Sequence, residues 1–269
     1  MNRLHQRYGP VVRFGPTDLS YTAADAWQDI HGLVKGQPEN PKALEFSVQP
    51  VNDVSNGYSA DRVDQRLREG SNQPDVWALV AGHVETPDTK LSLKEMHSNA
   101  ELFMLAGSET TGTYIVTRLI PLNAMHPVLT RFKATLLSGA IYLLLTHSDA
   151  MIRLSREIRT KFRREKDIAF SEVATLPYLN ACLKETSRVY PAVPIGSPRV
   201  VPEGGKSILG RWIPPETRVA VHHYATYHAE ANFKEAETFV PERWLGDPRY
   251  ADDNQAAHGP FGWGHRNCV

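Results

Sequence analysis

The chain has 269 residues, with 30 Lys+Arg against 30 Asp+Glu and a formal net charge of zero at pH 7. That balance lacks the basic excess a nucleic-acid partner normally needs, and two cysteines, Cys182 and Cys268, cannot build a disulfide framework, so a reducing setting is the default. There is no signal peptide and no apolar run of about 18 residues, and 41% hydrophobic content suits a domain with a sizeable core.

Residues 10–32 predict a short strand, a turn centred on Pro16, and a helix from about Thr22 to Ile30. Val11, Val12 and Phe14 are the strand's apolar positions; Ala23, Trp27 and Ile30, at i, i+4 and i+7, fall on one helix face. From Lys35 to Gln73 the pattern dissolves into Pro, Asn, Gly, Ser and charge, a structureless length uncommon in a compact domain. Helical signals resume near Val76. Ser92, with Glu95 three residues on, reads as a capping box for a helix carrying Leu102, Phe103 and Leu105.

Further helices are predicted over 134–146 and 149–166, the latter setting Ile152, Ile158 and Phe162 among basic residues that read as a solvated face. Pro177 and Pro191 bracket another helix. Residues 195–221 read as short strands, with turns at Pro202–Gly205 and Pro214–Pro215. The expected class is mainly α with small β-sheets.

Chemistry concentrates near residue 268. Phe261-Gly262-Trp263-Gly264-His265-Arg266-Asn267-Cys268 has the form F-x-x-G-x-R-x-C. Gly264 permits φ > 0, which a Cβ resists, and Arg266 is a fixed cation able to meet a carboxylate bidentately. Upstream, Ala106-Gly107-Ser108-Glu109-Thr110 puts small residues beside a carboxylate and a hydroxyl that could relay protons; an ordinary helix with an acidic face reads the same way. Glu185 and Arg188 form the sole E-x-x-R, on one helix face, a pair that at a surface contributes at most about 1 kcal/mol. Pro241-Glu242-Arg243-Trp244 and Ser197-Pro198-Arg199 complete the set, with Arg199 open to reading as a surface side chain. Cys182 reads as packing, and His222, His223 and His228 lack metal-ligand spacing.

Together these segments resemble the cytochrome P450 family, over 1–34, 75–111 and 134–268, and most closely its fungal enzymes of secondary metabolism. The resemblance implies that Cys268 ligates haem iron as a thiolate, which favours O–O cleavage. Arg266 and Arg199 would hold propionates, and Phe261 and Gly264 would shape the loop. Ala106 and Gly107 would leave a groove for dioxygen, with Glu109 and Thr110 delivering protons. Glu185, Arg188 and Arg243 would form a buried network bracing the cysteine loop. The implied activity is a monooxygenase inserting one atom of dioxygen into a small lipophilic organic substrate. Electrons would come through NADPH–cytochrome P450 reductase, with the parent enzyme at the endoplasmic reticulum membrane.

The chain also departs from the family. The membrane anchor, the glycine after the ligand and the following helix are not found, and no W-x-x-x-R occurs. Residues 112–133, with Pro121 and Pro127, interrupt the oxygen-helix region. Codons for Gly112-Thr113-Tyr114, Leu129-Thr130 and Lys133-Ala134 permit splice donor, branch point and acceptor, so a translated intron is one reading and a loop insertion the other. The expected organisation is an incomplete C-terminal half of the fold. It comprises an N-terminal strand–helix segment (1–34), an irregular junction with helices lost (35–74), and a haem-binding helical core (75–269) carrying the insertion 112–133. Such a chain is expected to be inactive by itself, as a pseudogene or faulty gene product. A haem-thiolate isomerase or dehydratase is the other alternative.

Overall fold

The computed structural model describes residues 1–33, 38–43, 61–68, 96–97, 100 and 135–267. The chain divides into two compact units, residues 1–48 with 135–269, and residues 49–134.

In the first unit, helix α1 (Asn2–Tyr8) leads into a hairpin of β1 (Val11–Gly15) and β2 (Asp18–Tyr21). Beyond it lies α2 (Ala26–His31). The hairpin joins a four-stranded sheet with β6 (Arg218–Val221) and β3 (Arg199–Val200), in the order β1-β2-β6-β3. Strands β2 and β6 run parallel, Leu19 facing Val219 and Tyr21 facing Val221. Both are buried over three of their four residues, whereas β1, at the edge, exposes Arg13 and Phe14. The opposite edge is covered by residues 41–43: Val200 N–H donates to the Pro41 carbonyl and Ala43 N–H to that of Pro198, which blunts an open strand edge. A second hairpin, β4 (Lys206–Ile208) and β5 (Arg211–Ile213), packs Ile208 and Ile213 into the same core. Helix α2 lays Ala26, Trp27 and Ile30 on this core against Leu19, Tyr21, Val219 and Val221. The buried indole alone commits about 3–5 kcal/mol, lost on truncation to Ala.

The helical part consists of α4 (Thr135–Thr146), α5 (Ser148–Lys161), α6 (Phe170–Val173) and α7 (Pro177–Val189); α3 (61–68) belongs to the second unit. Leu143, Ala150, Leu154, Tyr178, Cys182 and Phe239 form its core. Helix α7 starts on Pro177, whose missing N–H costs nothing at N1. The next two amides, of Tyr178 and Leu179, donate to the two carboxylate oxygens of Glu157 at 2.8 and 2.9 Å. A carboxylate from α5 thus satisfies orphan donors at the positive end of α7. A short helix, α8 (His223–Tyr227), follows β6.

In the second unit, α3 buries Val63, and its Asp64 accepts a 2.9 Å hydrogen bond from His97.

Three differences from the sequence reading have physical causes. Asp18–Tyr21 is a strand rather than the approach to a helix, because its partner β6 lies some 200 residues away and no local pattern announces it. Helix α2 accordingly begins at Ala26, and Ala23 is only half-buried. On α5 the inward stripe is Ala150, Leu154 and Ile158, at steps of four, while Ile152 is 57% exposed. Residues 61–68, inside the stretch read as irregular, form a helix that buries Val63 and leaves Leu67 50% exposed, too little apolar patterning to announce it. The proposed capping box at Ser92 and Glu95, and residues 112–133, lie outside the described residues. Among the described residues, no helix is long and apolar enough to cross a membrane.

Candidate functional site

The inner face of α7 carries Glu185 and Arg188, both fully buried. Arg188 grips the carboxylate with two parallel bonds, Nε to Oε2 at 2.9 Å and Nη2 to Oε1 at 2.8 Å. Arg243, on the short 3₁₀ turn Pro241–Leu245, adds Nε to Oε1 at 3.0 Å. The Val240 amide and the Trp244 indole N–H each donate to Glu185 at 2.9 Å. The remaining guanidinium donors reach backbone carbonyls: Arg188 those of Tyr227, Ala236 and Thr238, Arg243 that of Lys234. Arg243 also pairs with Asp253. One carboxylate and two forks thereby fix the path of residues 227–253 against α7.

Burial works to raise the Glu185 pKa, but hydrogen bonding and charge from Arg188, then Arg243, outweigh it and hold the carboxyl below its ordinary value. Burial likewise opposes the Arg243 charge and is outweighed by Glu185 and Asp253, so its pKa is raised. Glu185 and Arg243 are therefore held in their ionised forms.

Downstream, the loop 258–267 leans on α2. Gly262 and Gly264 turn it with φ of 84° and 76°. A Cβ on Gly264 would sit 2.3 Å from the His31 carbonyl oxygen, so glycine is required there for space as well as conformation. The Trp27 indole donates to the Ala257 carbonyl at 3.1 Å, and Trp263 donates to Gln28 at 3.2 Å. His265 meets Glu39 at 3.2 Å, while Phe261 is 64% exposed.

Arg199, on β3, is buried. Its Nε donates to His31 Nδ1 at 3.3 Å, and its Nη1 lies 3.7 Å from Glu39 Oε1. Burial, then the neighbouring Arg199 charge, lowers the His31 pKa to about 3, so the imidazole is neutral, accepts at Nδ1 and carries its proton on Nε2.

The structure thus brings Glu185, Arg188 and Arg243 into one cluster and sets Arg199 apart, beside α2 and the loop that carries Phe261 and Gly264. Ala106, Gly107, Glu109, Thr110 and Cys268, with the side chain of Arg266, lie outside the described residues. The sequence reading missed Trp244, Asp253, His31, Glu39 and Gln28. Trp244 adjoins Arg243 and Asp253 lies ten residues beyond it, whereas nothing local marks His31, Glu39 and Gln28, which reach their partners across long sequence separations. His222, His223 and His228 are all buried: Ser20 Oγ lies 2.7 Å from His222, and His228 Nδ1 contacts the Tyr224 carbonyl. Cys182, 1% exposed, has its thiol pKa pushed up to about 12 by burial and then by Glu242.

Comparison with known proteins meets this geometry. The family model described as "Cytochrome P450" matches residues 133–269. The chain belongs to the cytochrome P450 family. It is 44% identical over 214 residues to cytochrome P450 monooxygenase efuB of Hormonema carpetanum, covering 79% of this chain and 38% of that protein. It is 36% identical over 214 residues to averantin hydroxylase of Dothistroma septosporum (79% and 36%), and 38% identical over 236 residues to versicolorin B desaturase of Aspergillus parasiticus (85% and 42%). The chain spans about two fifths of the length of the curated relatives it matches.

Membership implies a thiolate-ligated haem. The described donors suit the carboxylate end of that group: a buried guanidinium, Arg199, already faces a carboxylate at 3.7 Å. The loop leading to Cys268 is held in a turn that only glycine fits at position 264.

Proposed function

We propose that this chain carries the haem-thiolate site of a fungal secondary-metabolism monooxygenase. When bound, the haem supplies the oxidising chemistry that inserts one atom of dioxygen into a small lipophilic organic substrate. The observation that carries the reading is the fully buried Glu185 carboxylate. Two guanidiniums tie it to the segment that runs into the F-x-x-G-x-R-x-C loop.

Cys268 is the thiolate donor. Arg199 and Arg266 hold the haem carboxylates; Phe261 and Gly264 shape the approach to the ligand. Ala106 and Gly107 would leave room for dioxygen, and the Thr110 hydroxyl and the Glu109 carboxylate would deliver protons to it. The network of Glu185, Arg188 and Arg243 does no chemistry. It fixes the loop, since a buried ion cluster adds little net stability but tolerates few alternative arrangements. Electrons come from NADPH through cytochrome P450 reductase, at the endoplasmic reticulum membrane.

The chain corresponds in this reading to the C-terminal half of the family's fold joined to the strand–helix segment 1–34, with 35–74 as a junction. Residues 112–133 are a translated intron within the core 75–269. The start of the family match at residue 133 supports the intron boundary, and a mature transcript retaining these codons would refute it. A second reading, in which the 269-residue chain does not turn over by itself, is favoured by the lack of any W-x-x-x-R in the sequence.

The test is turnover with haem, reductase and NADPH. Product formation dependent on oxygen and NADPH supports the monooxygenase. Turnover without either identifies an isomerase or dehydratase. Haem binding without turnover supports the second reading.

A further inference from the structure

Helix α1 has seven residues, too few for a helix to stand by itself in water, and its apolar residues Leu4 and Tyr8 lie exposed. The one side chain it buries is a histidine, His5. Nδ1 of that ring lies 2.8 Å from the Gly9 carbonyl, and Nε2 lies 2.6 Å from Ser20 Oγ on β2. Ser20 is fully buried and also lies 2.7 Å from Nδ1 of His222, just past β6. The Gly9 carbonyl only accepts, so His5 carries its proton on Nδ1 and accepts at Nε2 from the Ser20 hydroxyl. Ser20 Oγ in turn accepts from His222 Nδ1–H.

We propose that His5, Ser20 and His222 form a pH-operated latch, which docks α1 on the sheet at neutral pH and releases it in acid. A first proton is accommodated, since on His222 Nε2 it leaves all three bonds in place. A second, on His5 Nε2, makes both rings donors toward Ser20. The hydroxyl hydrogen then has neither ring to bond, and two cations meet at one buried oxygen. Once α1 has left and both rings are in water that limit is gone, so protons favour the released state. Burial lowers the His5 pKa against the Gly9 hydrogen bond, and the Met1 ammonium lowers it further. Burial takes His222 to about 4, with His5, the Met1 ammonium and His223 adding to it. The latch therefore holds above pH 6.5 and loosens as pH falls toward 4. Other charged and titratable groups on these elements have their own positions. Arg3 and Arg7 are exposed, Asp18 pairs with Arg218, and Arg13 donates to the Pro16 carbonyl. On α8, which packs against α1, Tyr224 stacks on His228 and Tyr227 on His223.

Native-state amide hydrogen exchange reads the opening of α1 at the Gly9 N–H, which donates to the His5 carbonyl at 2.9 Å. It reads the opening of the core at the Val201 N–H, which donates to the Thr217 carbonyl at 2.9 Å. After correction for the intrinsic rate, protection of Gly9 in the 269-residue chain should fall by about tenfold or more from pH 7 to pH 5, ahead of Val201. The fall should shrink in His5→Leu and vanish in His5→Leu/His222→Leu. Ser20→Ala keeps both rings and should lower Gly9 protection at pH 7 by about fivefold, the scale of one lost hydrogen bond. Gly9 protection that does not change with pH, that falls only together with Val201, or that falls as far in the double variant overturns the latch. So does parent-like protection of Gly9 in Ser20→Ala, which decides the matter if the double variant does not fold.

Discussion

Replacing Glu185 by Gln removes one charge from a place where five donors converge. Oε1 accepts from Arg188, Val240 and Arg243, and Oε2 from Arg188 and Trp244, all between 2.8 and 3.0 Å. An amide keeps one oxygen and turns an NH₂ toward donors that had an acceptor, so Arg188 Nε and the Trp244 indole N–H lose their partner. Arg243 retains Asp253, but Arg188 has no second carboxylate among its hydrogen-bond partners. Breaking one member of a buried pair costs about 3–5 kcal/mol, a large share of the roughly 5–15 kcal/mol that holds a domain together. Urea unfolding followed by tryptophan fluorescence should show that loss as a lower midpoint at unchanged slope. In the Glu185→Gln background, Arg243→Met should add less than it does alone, because the two residues share one network. The exposed pair Arg153–Glu242, also at 3.0 Å, is the control, and Arg153→Ala should cost no more than about 1 kcal/mol. A Glu185→Gln loss as small as the control's would refute the reasoning.

Other consequences follow from the same contacts. Gly264→Ala places a Cβ 2.3 Å from the His31 carbonyl at a φ of 76°, so amide exchange at Asn267, which donates to the Gly264 carbonyl, should accelerate. Gly210→Ala, at a similar φ of 71° with nothing within 4 Å, should leave that exchange unchanged, and equal effects would contradict the steric argument. Burial lowers the pKa of His31 to about 3 and of His222, His223 and His258 to about 4, from 6.5. The unfolded chain therefore binds the extra protons first. Stability is full above pH 6.5 and declines as pH falls toward 4, with the lowered Glu185 carboxyl adding to the loss below 4.5. A melting temperature that stays flat from pH 7 to 4 would contradict this. In a Cys268→Ala background, Cys182 should resist thiol reagents at pH 8 until the protein unfolds, and equal rates in native buffer and in urea would show its burial to be wrong.

The local features were legible in the sequence. Pro177 and Pro191 bracket α7, proline and glycine punctuate the strands of 199–221, and a short apolar strand shows at Val11 and Val12, although Phe14, read with them, is 45% exposed. These signals sit within a few residues of the structure they produce. What escaped was non-local. β2 is a strand because β6 pairs with it in parallel from far along the chain, and four residues are too few to show a period. Ile152 looks apolar in sequence but faces solvent, because it lies two residues from both Ala150 and Leu154, about 200° around the helix from the buried stripe. Among the candidate site residues, the spacing of Glu185 and Arg188 is a local signature, whereas Glu39 and His31 gain meaning only where β3 and the cysteine loop meet α2. No spacing rule connects Glu39 to Arg199.

The central claim is that Cys268 is the thiolate ligand of a bound haem, and the absorption spectrum of the reduced, carbon-monoxide-bound protein tests it most directly. The two cysteines give the experiment its internal control, since Cys182 is 1% exposed inside the α4–α5–α7 core, with a thiol raised to about 12. After reconstitution with haem, the parent chain and Cys182→Ala should both show the red-shifted Soret band of thiolate ligation, and Cys268→Ala should lose it. A band that survives Cys268→Ala, or disappears with Cys182→Ala, would contradict the account.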